Sequence, residues 1–152
     1  MSHATSSWTL VPDPSRPTSP TGSGIAVGVD IALDAEGDID LSTGAPRLTV
    51  ELEAVAQGVA NRVRMVMGEW FLNLEAGIPY FENDVVARAD ALLGGKFSEL
   101  KVRAAFRKAI LAAPGVLSIE SLSVSFASGV RTLRVEFRVA TVAGTIAATE
   151  EI

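Results

Sequence analysis

Glu69, Glu75 and Glu82 fall close together beside Trp70, Phe71, Tyr80 and Phe81, and carboxylates near aromatic rings could hydrolyse a glycoside. That chemistry needs two carboxyl groups flanking the scissile bond, one with a raised pKa, held ~5 to 9.5 Å apart. Glu69 with Glu75 or Glu82 is the only pair near aromatics that could stack on a sugar, and the sequence shows no substrate cleft around it, so no enzyme is expected. A second acidic set, Asp34, Glu36, Asp38 and Asp40, suggests calcium, because hard cations collect carboxylate oxygens on a tight turn. The glycine comes too early, at the fourth position from Asp34 rather than the sixth, and the twelfth is Ala45 rather than glutamate, so a solvated turn is expected and no metal. The single histidine, His3, cannot build a triad or a metal cluster. Gly22-Ser-Gly24 precedes a strand, not a helix, so it is not a phosphate loop. No cofactor is implied.

Composition narrows the classes further. The chain has 152 residues, enough for one domain with a sizeable core. With 48% hydrophobic and 20% charged residues it should be globular. A net charge of -5 argues against a nucleic-acid surface, which needs clustered Lys and Arg. The absence of cysteine removes disulfides and thiolate sites and agrees with a reducing cytoplasm. No apolar run approaches the ~20 residues of a membrane span, and no secretory signal is visible.

The elements that would position these groups follow from periodicity. Residues 1–24 hold Pro12, Pro14, Pro17 and Pro20 among many Ser and Thr, a composition expected to form a flexible arm, with residues 25–152 as the domain. Trp8, Leu10 and Val11 are an apolar trio that could anchor the arm in a partner's groove. Val27, Val29, Ile31 and Leu33 alternate like a half-buried strand, and after a turn Ile39 and Leu41 resume the pattern, which predicts a first hairpin.

Over residues 50–67, Leu52, Val55, Ala56, Val59, Val63, Val66 and Met67 recur at helical spacing, with Glu51 and Glu53 first and Arg62 and Arg64 last, as the macrodipole favours. Gly68 should close that helix. Residues 69–74 read as an extended run, and Gly77 and Pro79 as a turn that lets Tyr80 and Phe81 fold back onto Trp70. Val85, Val86, Ala89 and Leu92 suggest a short helix.

Ser98 should cap a second main helix with a Val102, Phe106, Ala109, Ile110 and Ala113 stripe, stopped by Pro114-Gly115. Its opposite face is basic: Lys101, Arg103, Arg107 and Lys108. A second hairpin closes the chain. Leu122, Val124 and Phe126 alternate out of phase with Leu117 and Ile119, which predicts a bulge near Glu120-Ser121. Leu133, Val135, Phe137, Val139 and Thr141 then face the core, with Arg134, Glu136 and Arg138 opposite. The fold class is α+β: a small, mostly antiparallel sheet of two hairpins packed with two main helices, plus an extended N-terminal arm.

The string AVAQGVANRVRMVMGEWFLNLEAGIPY, followed by a helix ending APGV and two closing strands, resembles the baseplate wedge and sheath-initiator family of contractile-tailed phages across about residues 29–144. Some members of that family are called lysozyme-like. The resemblance implies a structural virion part of the tail baseplate, present in several symmetric copies and assembled in the host cytoplasm. It would bind baseplate wedge proteins, the tail sheath protein and tube or hub proteins, with no nucleic acid and no membrane. It also implies that arms of the first sheath subunits add strands to a sheet edge. Arg134, Glu136 and Arg138 are the expected sheath contacts, and Trp8, Lys101, Arg103, Arg107 and Lys108 the expected wedge contacts. Gly68, Glu69, Trp70, Phe71, Gly77, Ile78, Pro79 and Tyr80 would shape the central loop. A phage-derived contractile injection particle is the equivalent alternative setting.

Overall fold

The computed structural model describes residues 6–15, 30–34 and 36–152. His3, Gly22, Gly24, Val27 and Val29 lie outside the described residues, and with them the start of the first expected hairpin.

Helix α1, Glu51–Arg64, buries Leu52, Val55, Ala56, Val59 and Val63 along one stripe, as the spacing predicts. It ends three residues earlier than expected. Met65 turns extended, and Val66 forms a parallel bridge with Ile78 instead of another helical turn. The hydrogen bonds Ile78 N to Met65 O (2.8 Å) and Met67 N to Ile78 O (2.9 Å) replace the helical ones. This tight return depends on Gly77. Its φ is +95°, and a Cβ there would lie 2.5 Å from the Met65 carbonyl oxygen.

Helix α2, Glu99–Leu111, is capped by Ser98, whose side chain accepts from Lys101 N, and buries Val102, Phe106, Ala109 and Ile110. Strands β4 (Val116–Ala127) and β5 (Thr132–Thr141) form the expected hairpin, with register shifts at 116/118 and 119/121 that include the predicted bulge. Two further strands complete the sheet: β6, Gly144–Glu151, and β1, Ser7–Pro12. The order is β1-β6-β5-β4, antiparallel throughout, and the helices cover one face. Phe106, Ile110, Val135, Val139, Ile146 and Val59 meet in the resulting core. Burying apolar side chains of this size contributes roughly 1.5–3 kcal/mol each.

The structure corrects five local expectations. Ser7–Pro12 is not a free arm: it is an edge strand paired with β6 from Ser7↔Thr149 to Pro12↔Gly144. Pairing with a strand distant in sequence supplies the backbone partners that its Pro/Ser/Thr-rich surroundings could not. Ile31 pairs not with the 39–41 segment but with Leu48, in a two-stranded ribbon of β2 (Asp30–Ile31) and β3 (Leu48–Thr49); Leu33 and Ile39 keep only a single bridge.

Residues 69–74 are turns rather than an extended run. Residues 85–92 are not helical, because the Asn83 carboxamide oxygen accepts from Val85 N and Val86 N at 2.9 Å and holds a turn that still buries Val86. Tyr80 points into the core instead of onto Trp70. Its hydroxyl donates to the Val63 carbonyl near the end of α1, and its ring meets Phe106 edge-on at 6.4 Å. Burial raises the Tyr80 pKa, with Glu150 adding to the effect and Arg64 opposing it.

Candidate functional site

Among the described residues, a sheet ordered β1-β6-β5-β4 has two strands bonded on one side only, β4 and β1. Strand β5 is interior, with β4 on one side and β6 on the other, so Arg134, Glu136 and Arg138 do not lie on a strand edge, contrary to the sequence expectation. Sequence gives the alternation of a strand but not its neighbours, and the missing neighbour was β6.

The three residues project from the outer sheet face. Arg134 pairs with Glu136 at 2.8 Å and with Glu151 of β6 at 3.6 Å, and Arg138 pairs with Glu120 of β4 at 2.8 Å. These half-exposed pairs contribute about 0–1 kcal/mol each, so they brace the face more than they hold the fold. Between β1 and β4 the same face forms a shallow concavity of about 360 Å³, lined by Ser7, Thr9, Ser121, Ser123, Arg138 and Thr149 among others.

Strand β4 is the longest in the sheet, with 12 residues. Beyond its bulges it runs regularly from Ser121↔Arg138 to Ala127↔Thr132, with Ser121, Ser123 and Ser125 exposed. No Lys, Arg or Pro occurs within it. Natural edges are usually blunted by such residues, and here only the bulged first half is irregular.

The other edge is β1 itself, laid along β6. Gly144 makes this possible, because a Cβ there would sit 2.3 Å from the Val11 carbonyl oxygen. Trp8 lies half-buried, edge-on to Phe137 at 5.6 Å. Its Nε1 donates to Glu150 Oε1 at 2.9 Å; Arg64 donates to the same oxygen at 3.0 Å, and Ser6 Oγ to Oε2 at 2.7 Å. Glu150 is only 4% exposed, so this set of donors satisfies a carboxylate that would otherwise be buried at high cost. Trp8, expected as a partner anchor, is thus engaged within its own chain. Sequence reading missed Glu150, although it stands in phase with the core residues Ile146 and Ala148, and a carboxylate on a core phase is a visible anomaly.

The basic face of α2 is partly spent. Lys101 Nζ donates to the Ala89 carbonyl, and Arg103 pairs with Glu99 at 2.6 Å. Arg107 and Lys108 are exposed with no ion pair among the described residues.

The segment 68–78 is a built loop. Gly68, at φ +91°, donates to Leu74 O, Glu69 N to Val66 O, Asn73 N to Trp70 O and Ala76 N to Asn73 O. Ile78 is fully buried and Pro79 accepts from Leu92 N, whereas Trp70 and Phe71 stay exposed. Glu69 and Trp70 line a shallow depression with Asn61, Arg64 and Met65; Glu75 and Glu82 are exposed outside its lining. The 34–40 carboxylates serve the backbone: Asp34 accepts from Glu36 N and Asp38 N, and Asp40 from Ser42 N and the Arg47 guanidinium.

Comparison with protein families shows where the chain belongs. The model of the contractile injection system sheath initiator matches residues 29–144. The chain belongs to the contractile injection system sheath initiator family. The matched span of this sheath-initiator chain contains both helices, β4 and β5, and stops at the first residue of β6. Strand β1 and its Trp8 therefore lie outside it. No curated protein matches the sequence. Membership makes this a structural part of a contractile injection system or phage tail, working with sheath components.

Proposed function

We propose that the chain initiates sheath assembly in a tail baseplate by offering the outer edge of β4 to an arm of the first sheath subunit. The observation that carries this is the regular, unblunted stretch of β4 from Ser121 to Ala127, bonded among the described residues to β5 alone. An added strand would gain backbone hydrogen bonds for affinity, and its alternate side chains would meet Ser121, Ser123 and Ser125 or the inner row for specificity. Arg138, tied to Glu120, stiffens the neighbouring strand, which gives Arg134, Glu136 and Arg138 a supporting part rather than a direct one.

Arg107 and Lys108 are the α2 residues suited to an acidic wedge partner. In this reading the protein is non-enzymatic, sits in the virion baseplate in several copies around the tail tube near hub proteins, and is assembled in the host cytoplasm. A phage-derived injection particle would use the same surfaces.

The chain lacks cysteine, so single cysteines report cleanly. Ser123→Cys and Ser125→Cys are co-expressed with the sheath protein carrying cysteines stepped along each arm. Disulfides at every second arm position support strand addition at β4. Disulfides only to Thr9→Cys on β1, or to neither edge, refute it.

A further inference from the structure

The most exposed apolar residues of the 68–85 region sit on its best-braced backbone. Phe71 is 81% exposed and Leu72 70%, and Trp70, Leu74, Phe81 and Val85 of the same segment are exposed as well. The two turns that carry them are joined by Asn83, whose Nδ2 donates to Met67 O at 2.6 Å while its oxygen holds Val85 N and Val86 N. With the loop's own closing bond from Gly68 N to Leu74 O, this sets the backbone beneath the aromatic groups before any partner arrives. A preformed loop loses less further freedom on binding, and exposed apolar patches rimmed by polar groups mark interaction sites.

The charge along the segment that carries the patch is one-sided. Glu69, Glu75, Glu82 and Asp84 are all exposed, and no lysine or arginine occurs between Arg64 and Arg88. Arg64 itself is drawn to Glu150.

The geometry points to the loop bearing Trp70, Phe71 and Leu72 as a preformed knob that inserts into an apolar cleft, rimmed by Lys and Arg, on another baseplate protein. The protruding exposure of Phe71 and Leu72 makes this chain the knob and the partner the cleft. The acidic rim sets the partner's sign and disfavours an anionic membrane or nucleic acid. That the partner is a baseplate protein rests on the function proposed above; the chemistry of the cleft rests on the loop alone.

The test uses the full chain, co-expressed in turn with each baseplate product encoded beside it. The wild type is compared with Phe71→Ser/Leu72→Ser and with Glu75→Lys/Glu82→Lys, after thermal melts show both variants folded. The expected result is capture of one baseplate product by the wild type, weakened at least ~10-fold by the double serine variant. The lysine variant should also bind it more weakly, with a flatter salt dependence. Equal capture by the serine variant overturns the proposal, as does failure of the wild type to capture any baseplate product. Loop-dependent self-association in sedimentation, or loop-dependent binding to phosphatidylglycerol vesicles, overturns it in favour of a second copy or a lipid surface. Sheath cross-linking at Ser125→Cys, read in the same preparations, separates failure of this contact from failure of the sheath role.

Discussion

Replacing Trp8 with alanine removes the side chain that fastens β1 to the body. The ring is half-buried and edge-on to Phe137 at 5.6 Å, and its N–H is bonded to the buried Glu150 carboxylate at 2.9 Å. An edge-on aromatic pair is worth ~0.5–1.5 kcal/mol beyond area, and a hydrogen bond to a charged group ~1.5–3 kcal/mol. These contributions overlap, and truncating a fully buried Trp costs ~3–5 kcal/mol in all. Half-burial scales this to about 1.5–2.5 kcal/mol for Trp8→Ala. In urea, with a slope of ~1–3 kcal/mol/M, the midpoint should fall by about 1 M. Trp8→Phe keeps the ring contact and loses only the N–H bond, so it should fall between the two. The amides of β1 should exchange faster in both variants. A Trp8→Ala midpoint indistinguishable from wild type, with β1 amides already unprotected in the wild type, would refute the argument that β1 belongs to the sheet.

Three further outcomes are expected. Gly77→Ala forces a Cβ to 2.5 Å from the Met65 carbonyl at φ +95°, so it should cost more than ~1 kcal/mol in chemical denaturation. The carboxyl of Asp40 is held at about 2, below the ordinary 3.8, by hydrogen bonding to Ser42 and then to Arg47. Its folded pKa is the lower one, so its contribution to stability is full above about pH 4 and is lost as the pH falls toward 2; Asp40→Asn should flatten the stability curve in that window, with carboxyl NMR reporting the pKa directly. Purified peptidoglycan incubated with the chain should release no soluble sugar above a buffer control, and Glu69→Gln should change nothing.

Much of the body was legible because it is governed by local period. The stripes of α1 and α2, the Ser98 cap, the Pro114-Gly115 stop and the slip near Glu120 all announce themselves within a dozen residues. What was hidden depends on distant partners. Strand β6 reads GTIAATEE, small residues with a carboxylate on the core phase, and only Trp8, Arg64 and Ser6 explain why Glu150 is tolerated there. Without β6, β5 looked like an edge, and Arg134, Glu136 and Arg138 were misplaced with it. The run around Val85 and Leu92 has helical spacing, but the Asn83 side chain captured the amides a helix would have used.

The pairing of β1 with β6 also fixes an order of events. Trp8 and Glu150 stand 142 positions apart, so this contact closes one of the longest loops in the chain. Long loops close late, because the entropy of bringing their ends together must be met before the contact gives anything back. During synthesis β1 emerges first and waits, while the helices and the β4–β5 hairpin can form among themselves. The β6 margin is therefore the last part of the sheet to be sealed, and until then it is the place where an extended segment of any neighbour competes with the chain's own strand.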